Sequence, residues 1–157
     1  MKKFFKFIVG VIVALILIGF FIDSSSSDTS LTEIERKASS MSTEEFKEAA
    51  ISVSYDELKR NPDKYKGKLI ITQLYVAQIV SAKQWRTYTY GNNQWTRYDI
   101  EEEFYVFDKR ETGENIIEKD IITVYGVYRG TTSVRRALTG TRDSVPSIDI
   151  INLELKK

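Results

Sequence analysis

The chain has 157 residues, with 23 Lys and Arg against 22 Asp and Glu, and it contains neither Cys nor His. That length supports one domain with a genuine core. The near-zero balance, net +1, excludes a strongly basic nucleic-acid coat or an acidic tail. The missing residue types exclude disulfides, Cys/His zinc sites, thiol nucleophiles and His-based triads.

The apolar residues are concentrated at the start. Phe7 to Ile22 reads FIVGVIVALILIGFFI, without one polar side chain, and the run reaches back over Lys6 to Phe4. A helix over 4–22 spans roughly 28 Å, close to the hydrocarbon thickness of a bilayer. Lys2, Lys3 and Lys6 flank its start, which predicts a cytoplasmic N-terminus (residues 1–3) and an exported remainder. Two readings compete, a cleaved signal peptide and an uncleaved signal anchor. The run ends in Gly19-Phe20-Phe21-Ile22, too bulky for a cleavage site, which favours the anchor; a cut among Ser24 to Ser27 is the other reading. With no Cys there is no lipoprotein. The expected location is a single-pass cell-membrane protein with its C-terminal domain outside the cytoplasm.

Residues 23–41 read as a flexible Ser-rich tether, because DSSSSDTSLT has no periodic apolar face. Residues 42–157 read as the extracytoplasmic domain. Removing 1–22 removes three Lys and no acid, so the rest has a net charge of −2.

The domain opens with short helices. Ser42-Thr43-Glu44-Glu45 has the S-x-x-E capping pattern, with Phe46, Ala49 and Ala50 as one apolar face. Ser54-Tyr55-Asp56-Glu57 repeats the pattern and starts a helix that Asn61-Pro62 stops. Pro62 opens one more turn, and Gly67 ends it.

From Lys68 the pattern is that of strands: Lys68 to Val80, Gln84 to Tyr90, Gln94 to Tyr98, Glu103 to Phe107, Ile121 to Tyr128 and Ser147 to Leu155. Gly91-Asn92-Asn93 is a hairpin signal. Five or six strands with no long helix between them predict a mostly β fold, a small barrel or sandwich.

The run Tyr55-Asp56-Glu57-Leu58, Arg60-Asn61-Pro62, Lys64-Tyr65-Lys66-Gly67-Lys68 resembles the entry to the tRNA-anti-like family of small bacterial OB-fold domains on membrane anchors or lipoprotein tails. Ile117 to Gly126 with Gly130 looks like that family's fourth strand and its lead-in, and Val145-Pro146 is similar to its lead into the fifth. The resemblance covers about Tyr55 to Leu155. It implies a five-stranded OB-type Greek-key barrel with a mere turn between strands three and four. It implies no reaction.

Two segments lack acids. Lys83 to Tyr98 interleaves Trp85, Tyr88, Tyr90, Trp95 and Tyr98 with Lys83, Arg86 and Arg97. Flat rings among cations suit stacking on bases or sugars and pairing with anions. The plainer reading is that half of the rings fill the barrel, since alternation sends either Trp85 or Tyr88 inward. Arg129 to Arg142 holds Arg129, Arg135, Arg136 and Arg142, between the last two strands, where an OB-fold carries a loop bordering its binding face. The expected ligand surface is Trp85, Arg86, Tyr88, Trp95 and Arg97 with Arg135 and Arg136. Against it, Asp99 to Asp120 holds nine acids and three bases.

Catalytic signatures are missing. Glu101-Glu102-Glu103 sits at a strand edge with no spacing that pairs acids across a cleft, no D-x-D-x-D-G calcium cage exists, and Gly126, Gly130 and Gly140 form no phosphate loop. The sequence therefore reads as a binding module rather than an enzyme, with no cofactor and no metal. An anionic polymer or oligonucleotide is the first partner class. The alternative is a protein-interaction module in an envelope, secretion or conjugation assembly.

Overall fold

The computed structural model describes residues 28–91, 98–136 and 138–156. Among these residues four helices precede five strands: α1 (Asp28–Ser39), α2 (Thr43–Ala49), α3 (Tyr55–Arg60), α4 (Pro62–Tyr65), β1 (Leu69–Ser81), β2 (Gln84–Tyr90), β3 (Tyr98–Asp108), β4 (Ile121–Arg135) and β5 (Arg142–Leu155). The strands close in the order β1-β2-β3-β5-β4. Every neighbouring pair is antiparallel except β3 and β5. That is the OB-type Greek-key barrel: a three-strand meander, then a fourth strand that returns beside the first.

The local signals act as chemistry requires. The Ser42 hydroxyl accepts from the Glu45 N–H, and the Glu45 carboxylate accepts from the Ser42 N–H, so both halves of the capping box are present. At Ser54 the hydroxyl again accepts, from the Glu57 N–H. The chain leaves α3 at Asn61, and Pro62 starts α4. Gly67 lies at φ +81°, and a Cβ there would stand 2.8 Å from Ile34 Cδ1. The positive φ is what favours glycine here, since the Ile34 methyl at the tip of its side chain can move aside.

Two apolar clusters hold the fold. One fills the barrel, with Leu74, Val76, Val106, Ile122, Val124, Ile148 and Ile150 at its centre. Helix α3 plugs one end: Tyr55 meets Phe104 edge-on, and the buried Tyr128 hydroxyl donates to the Leu58 carbonyl at 2.8 Å. Between β3 and β4 there is no helix; Ile116 from this connection packs against the core instead. The second cluster lies outside the barrel wall, where Leu31, Ala38 and Phe46 of α1 and α2 cover Leu69, Tyr125 and Val127.

Three expectations change. The flexible tether of 23–41 does not extend through its range, because Asp28–Ser39 is helical. Leu31 and Ala38 lie two turns apart on that helix, and their burial against the barrel supplies the stability that its polar sequence hides. Gln94 to Arg97 of one expected strand lie outside the described residues, while the strand expected at Glu103 to Phe107 is part of a longer one that begins at Tyr98. Its register jumps, with Tyr88 opposite Glu103 but Thr89 opposite Asp99. Finally, β4 and β5 do not stop at Tyr128 and Ser147. They continue as a two-stranded ribbon to Arg135 and Arg142, so the basic segment is mostly strand. Pro146 has no N–H to offer β3, and pairing with β3 begins one residue later at Ser147, where the ribbon parts from the barrel.

The transmembrane segment 4–22 lies outside the described residues. Among the described residues no helix is long and apolar enough to cross a membrane.

Gly126 is pinned by β5: a Cβ there would stand 2.3 Å from Ile148 Cγ2 and 2.8 Å from the Asp149 carbonyl. Gly126→Ala is expected to destabilise the barrel by about 1–3 kcal/mol, read as a lower denaturant midpoint.

Candidate functional site

β2 and β4 both run antiparallel to β1, so their C-terminal ends leave the barrel at the same end. β2 therefore ends, β3 begins and the β4–β5 ribbon leaves at one end of the barrel. This is the juxtaposition that the two acid-free segments require.

Alternation along β2 then sorts the expected residues. Trp85 and Thr87 point inward; Trp85 is only 3% exposed and belongs to the barrel core. Trp85 is therefore corrected from a ligand-facing ring to a core ring. Arg86 and Tyr88 lie on the outer face, with Tyr88 half-buried. Trp95 and Arg97 lie outside the described residues.

The structure does bring Arg86 and Arg136 together, through an acid that the sequence pattern did not single out. Glu103, opposite Tyr88 on β3, is buried, although it shares the outer face with Tyr105 and Phe107. Arg86 Nε donates to Glu103 Oε1 at 2.6 Å, and Arg136 Nη1 donates to Glu103 Oε2. Arg136 Nε also donates to Asp143 Oδ2 at 2.6 Å. The Asp143 and Glu103 carboxylates raise the Arg136 pKa further above its usual value. Beside this network, burial pushes the Tyr55 phenol up to about 12 although its bond with the Glu103 backbone acts the other way.

A cleft of about 460 Å³ opens here, lined among others by Tyr55, Lys59, Glu101, Arg136 and Asp143. Its charges alternate in sign. The Arg86 and Arg136 guanidiniums are committed to carboxylates, so neither is free to receive an anion here. What the network does is hold the ribbon down on the barrel's outer face. Glu103 gives the β2–β3 surface and the ribbon a common partner.

The ribbon's other face is different. Arg135 stands directly opposite Arg142, with Ser133 opposite Ser144 and Thr131 opposite Pro146. Both arginines are exposed. Among the described residues neither has an acidic partner within ion-pair distance. Like charges directly across a ladder repel, so this pair costs stability unless an anion sits between them. Arg135 reaches back over the turn, its Nη2 3.9 Å from where a Gly140 Cβ would be. Leu138, at the turn, is fully exposed.

Of the expected surface, then, Arg86 and Arg136 meet around Glu103, Arg135 lies on the opposite ribbon face, and Trp85 is core. Arg142 joins Arg135; its signal was the cross-strand register, which two segments of unknown strand length do not reveal.

No family model matches this chain, and no curated protein matches it. Two crystal structures of the mitochondrial single-stranded DNA-binding protein Rim1 of S. cerevisiae are similar to it in fold. One aligns at a TM-score of 0.33 with 11% identity, over 57% of this chain and 92% of that one. The other, selenomethionine-labelled, gives 0.31 and 11% over the same shares. A likeness of this size says nothing of what this chain binds.

Glu103→Ala would leave Arg86 and Arg136 facing each other without their shared anion. It is expected to cost about 3 kcal/mol, toward the low end for a broken buried pair because both arginines can turn to water. Urea denaturation of the variant checks this, with Glu101→Ala, on an exposed site, expected within about 0.5 kcal/mol of the parent.

Proposed function

We propose that this chain is a membrane-anchored, extracytoplasmic OB-type binding module, and that it holds an anionic polymer on the outer face of its β4–β5 ribbon. The observation that carries this reading is the exposed Arg135–Arg142 pair, two arginines directly opposite each other across the ladder, with hydroxyl-bearing Ser133 and Ser144 as the next pair on the same face. A guanidinium fork matches phosphate and carboxylate oxygens two at a time, and a pair of forks makes a site that one lysine could not. A phosphate chain laid along the ribbon meets Ser and Thr donors next. β2 ends at Tyr90 and β3 begins at Tyr98 at the barrel end from which the ribbon leaves, which supports adding Trp95 and Arg97 to this surface as stacking and pairing groups. Binding needs no bond-breaking residue, which agrees with the lack of any catalytic signature in the sequence.

The membrane context rests on the lysine-flanked apolar segment 4–22 and on the resemblance to anchored tRNA-anti-like domains. Protease added to intact cells should remove the domain and leave the N-terminal segment behind. Cutting that requires lysis would overturn the topology.

The polymer is tested with a single-stranded oligothymidylate and with inorganic polyphosphate. Arg135→Ala with Arg142→Ala should weaken binding roughly tenfold at moderate salt and flatten the log–log salt slope by about 1.5. Folding should be unchanged or slightly improved, since a repulsion is relieved.

A second reading has its own observation. Leu138 presents a full apolar side chain at the ribbon turn, which suits a protein partner in an envelope, secretion or conjugation assembly. Binding that ignores salt and is lost in Leu138→Ser would put that reading first.

A further inference from the structure

A second group of buried charges lies away from the ribbon, where α1 crosses the barrel wall. Asp149 on β5 is fully buried. It stands opposite Val127, a member of the outer apolar cluster, so its side chain is on the wall's outer face, beneath α1. A bulge in β4 frees Arg129 from the ladder between Tyr128 and Gly130, and its Nη1 donates to Asp149 Oδ1 at 2.9 Å. The same guanidinium lies 4.4 Å over the Phe107 ring. Lys109, just past β3, approaches the same Oδ1 at 4.0 Å. Both cations thus address one oxygen. Asp149 Oδ2 is buried without a hydrogen-bond donor.

Leu31, Ile34 and Ala38 pack α1 against this wall, and helical spacing puts the half-buried Glu35 on the same face, so Glu35 is the acid that α1 presents to the wall carrying Asp149. Two carboxylates in contact cannot both be ionised cheaply; a shared proton resolves the conflict and supplies the donor that Oδ2 lacks. The other charged residues of this stretch of α1 are otherwise engaged. Glu33 pairs with Arg36 and Lys37 on the exposed side of the helix.

We propose that α1 docks on the barrel as a proton-dependent latch, with neutral Glu35 donating its O–H to Asp149 Oδ2, and that ionisation of Glu35 loosens the helix. Burial, reinforced by the Asp149 carboxyl, pushes the Glu35 carboxyl up from 4.5 to about 7, against the opposing pull of Lys109 and Arg129. The docked state therefore holds a proton that the released state gives up. Docking is at full strength below about 4.5, weakens as pH rises toward about 7, and is flat above. The chain has no His, the side chain that ordinarily changes charge between pH 5 and 8. The latch is independent of what the ribbon binds.

The test is hydrogen–deuterium exchange on the full-length chain, corrected for intrinsic exchange, with β1 peptides as internal reference. Protection of α1 should fall about tenfold or more from pH 5 to pH 8, while β1 stays constant. Glu35→Gln keeps a donor for Asp149 Oδ2 but cannot titrate; its α1 should stay protected and pH-independent. Glu35→Ala should be less protected and equally flat. A parent without the pH slope, or either variant retaining it, would overturn the latch.

Discussion

The long antiparallel ladder between β4 and β5 is the element on which the rest of the molecule depends. It runs from Ile122 opposite Leu155 to Arg135 opposite Arg142, and only its first half belongs to the barrel. Within that half β4 is gripped on its other edge by β1 and β5 by β3. Beyond Ser147 β5 has lost β3, and beyond Val127 β4 has lost β1, so the two strands have only each other. A two-stranded ribbon is marginal in water on its own. This one persists because Arg136 and Glu103 fasten it to the barrel's outer face and because Val134 and Val145 are buried beneath it.

That fastening gives the ribbon two unlike faces. On the inner one, every described arginine has a carboxylate, and the charges cancel locally. On the outer one, the alternation that buries Val134 exposes Ser133 and Arg135. Net charge hides this division. A chain at +1 still carries a basic pair that, among the described residues, has no acidic partner, while Glu103 and Asp149 are buried at other contacts. The expectation of an acidic segment standing apart from a basic one fails for the same reason: Glu103 lies inside the basic surface as its tie.

The architecture was legible where local physics decides it. The Ser42 and Ser54 caps, the Asn61-Pro62 break, Gly67 and the alternating apolar residues of β1 each announce their own structure, and together they admit few folds. The helix-free link between β3 and β4 was legible too, since Arg110 to Asp120 is polar and short. What could not be read were features set by contacts between distant residues. Asp28–Ser39 has only Leu31, Ile34 and Ala38 to recommend it as a helix, and these matter only when the barrel wall is there to receive them. Trp85 and Tyr88 were correctly seen to face opposite ways, but which one faces in depends on the barrel's register. Glu103 looked like the end of an acidic run, whereas its place is fixed by alternation with Tyr105 and Phe107, after the jump in register at Tyr88.

The same logic explains why Asp149 is tolerated at all. β5 is covered on one side by the barrel core and on the other by α1 and α2, so Val145 to Ile150 are buried without interruption. A strand buried on both faces should be apolar throughout. Ser147 satisfies itself by donating to the Gly130 carbonyl at 3.0 Å. Asp149 has no such local answer. It draws Arg129 out of the β4 ladder, Lys109 from the end of β3 and Glu35 from α1, three residues from three places in the chain converging on one carboxylate. An apolar residue there would bind α1 to the wall with less machinery. What the carboxylate adds is a dependence on the state of its neighbours. A barrel that needed α1 only as a cover would gain nothing from it, whereas a helix whose hold on the barrel is to vary with conditions requires a buried group that can be left unsatisfied.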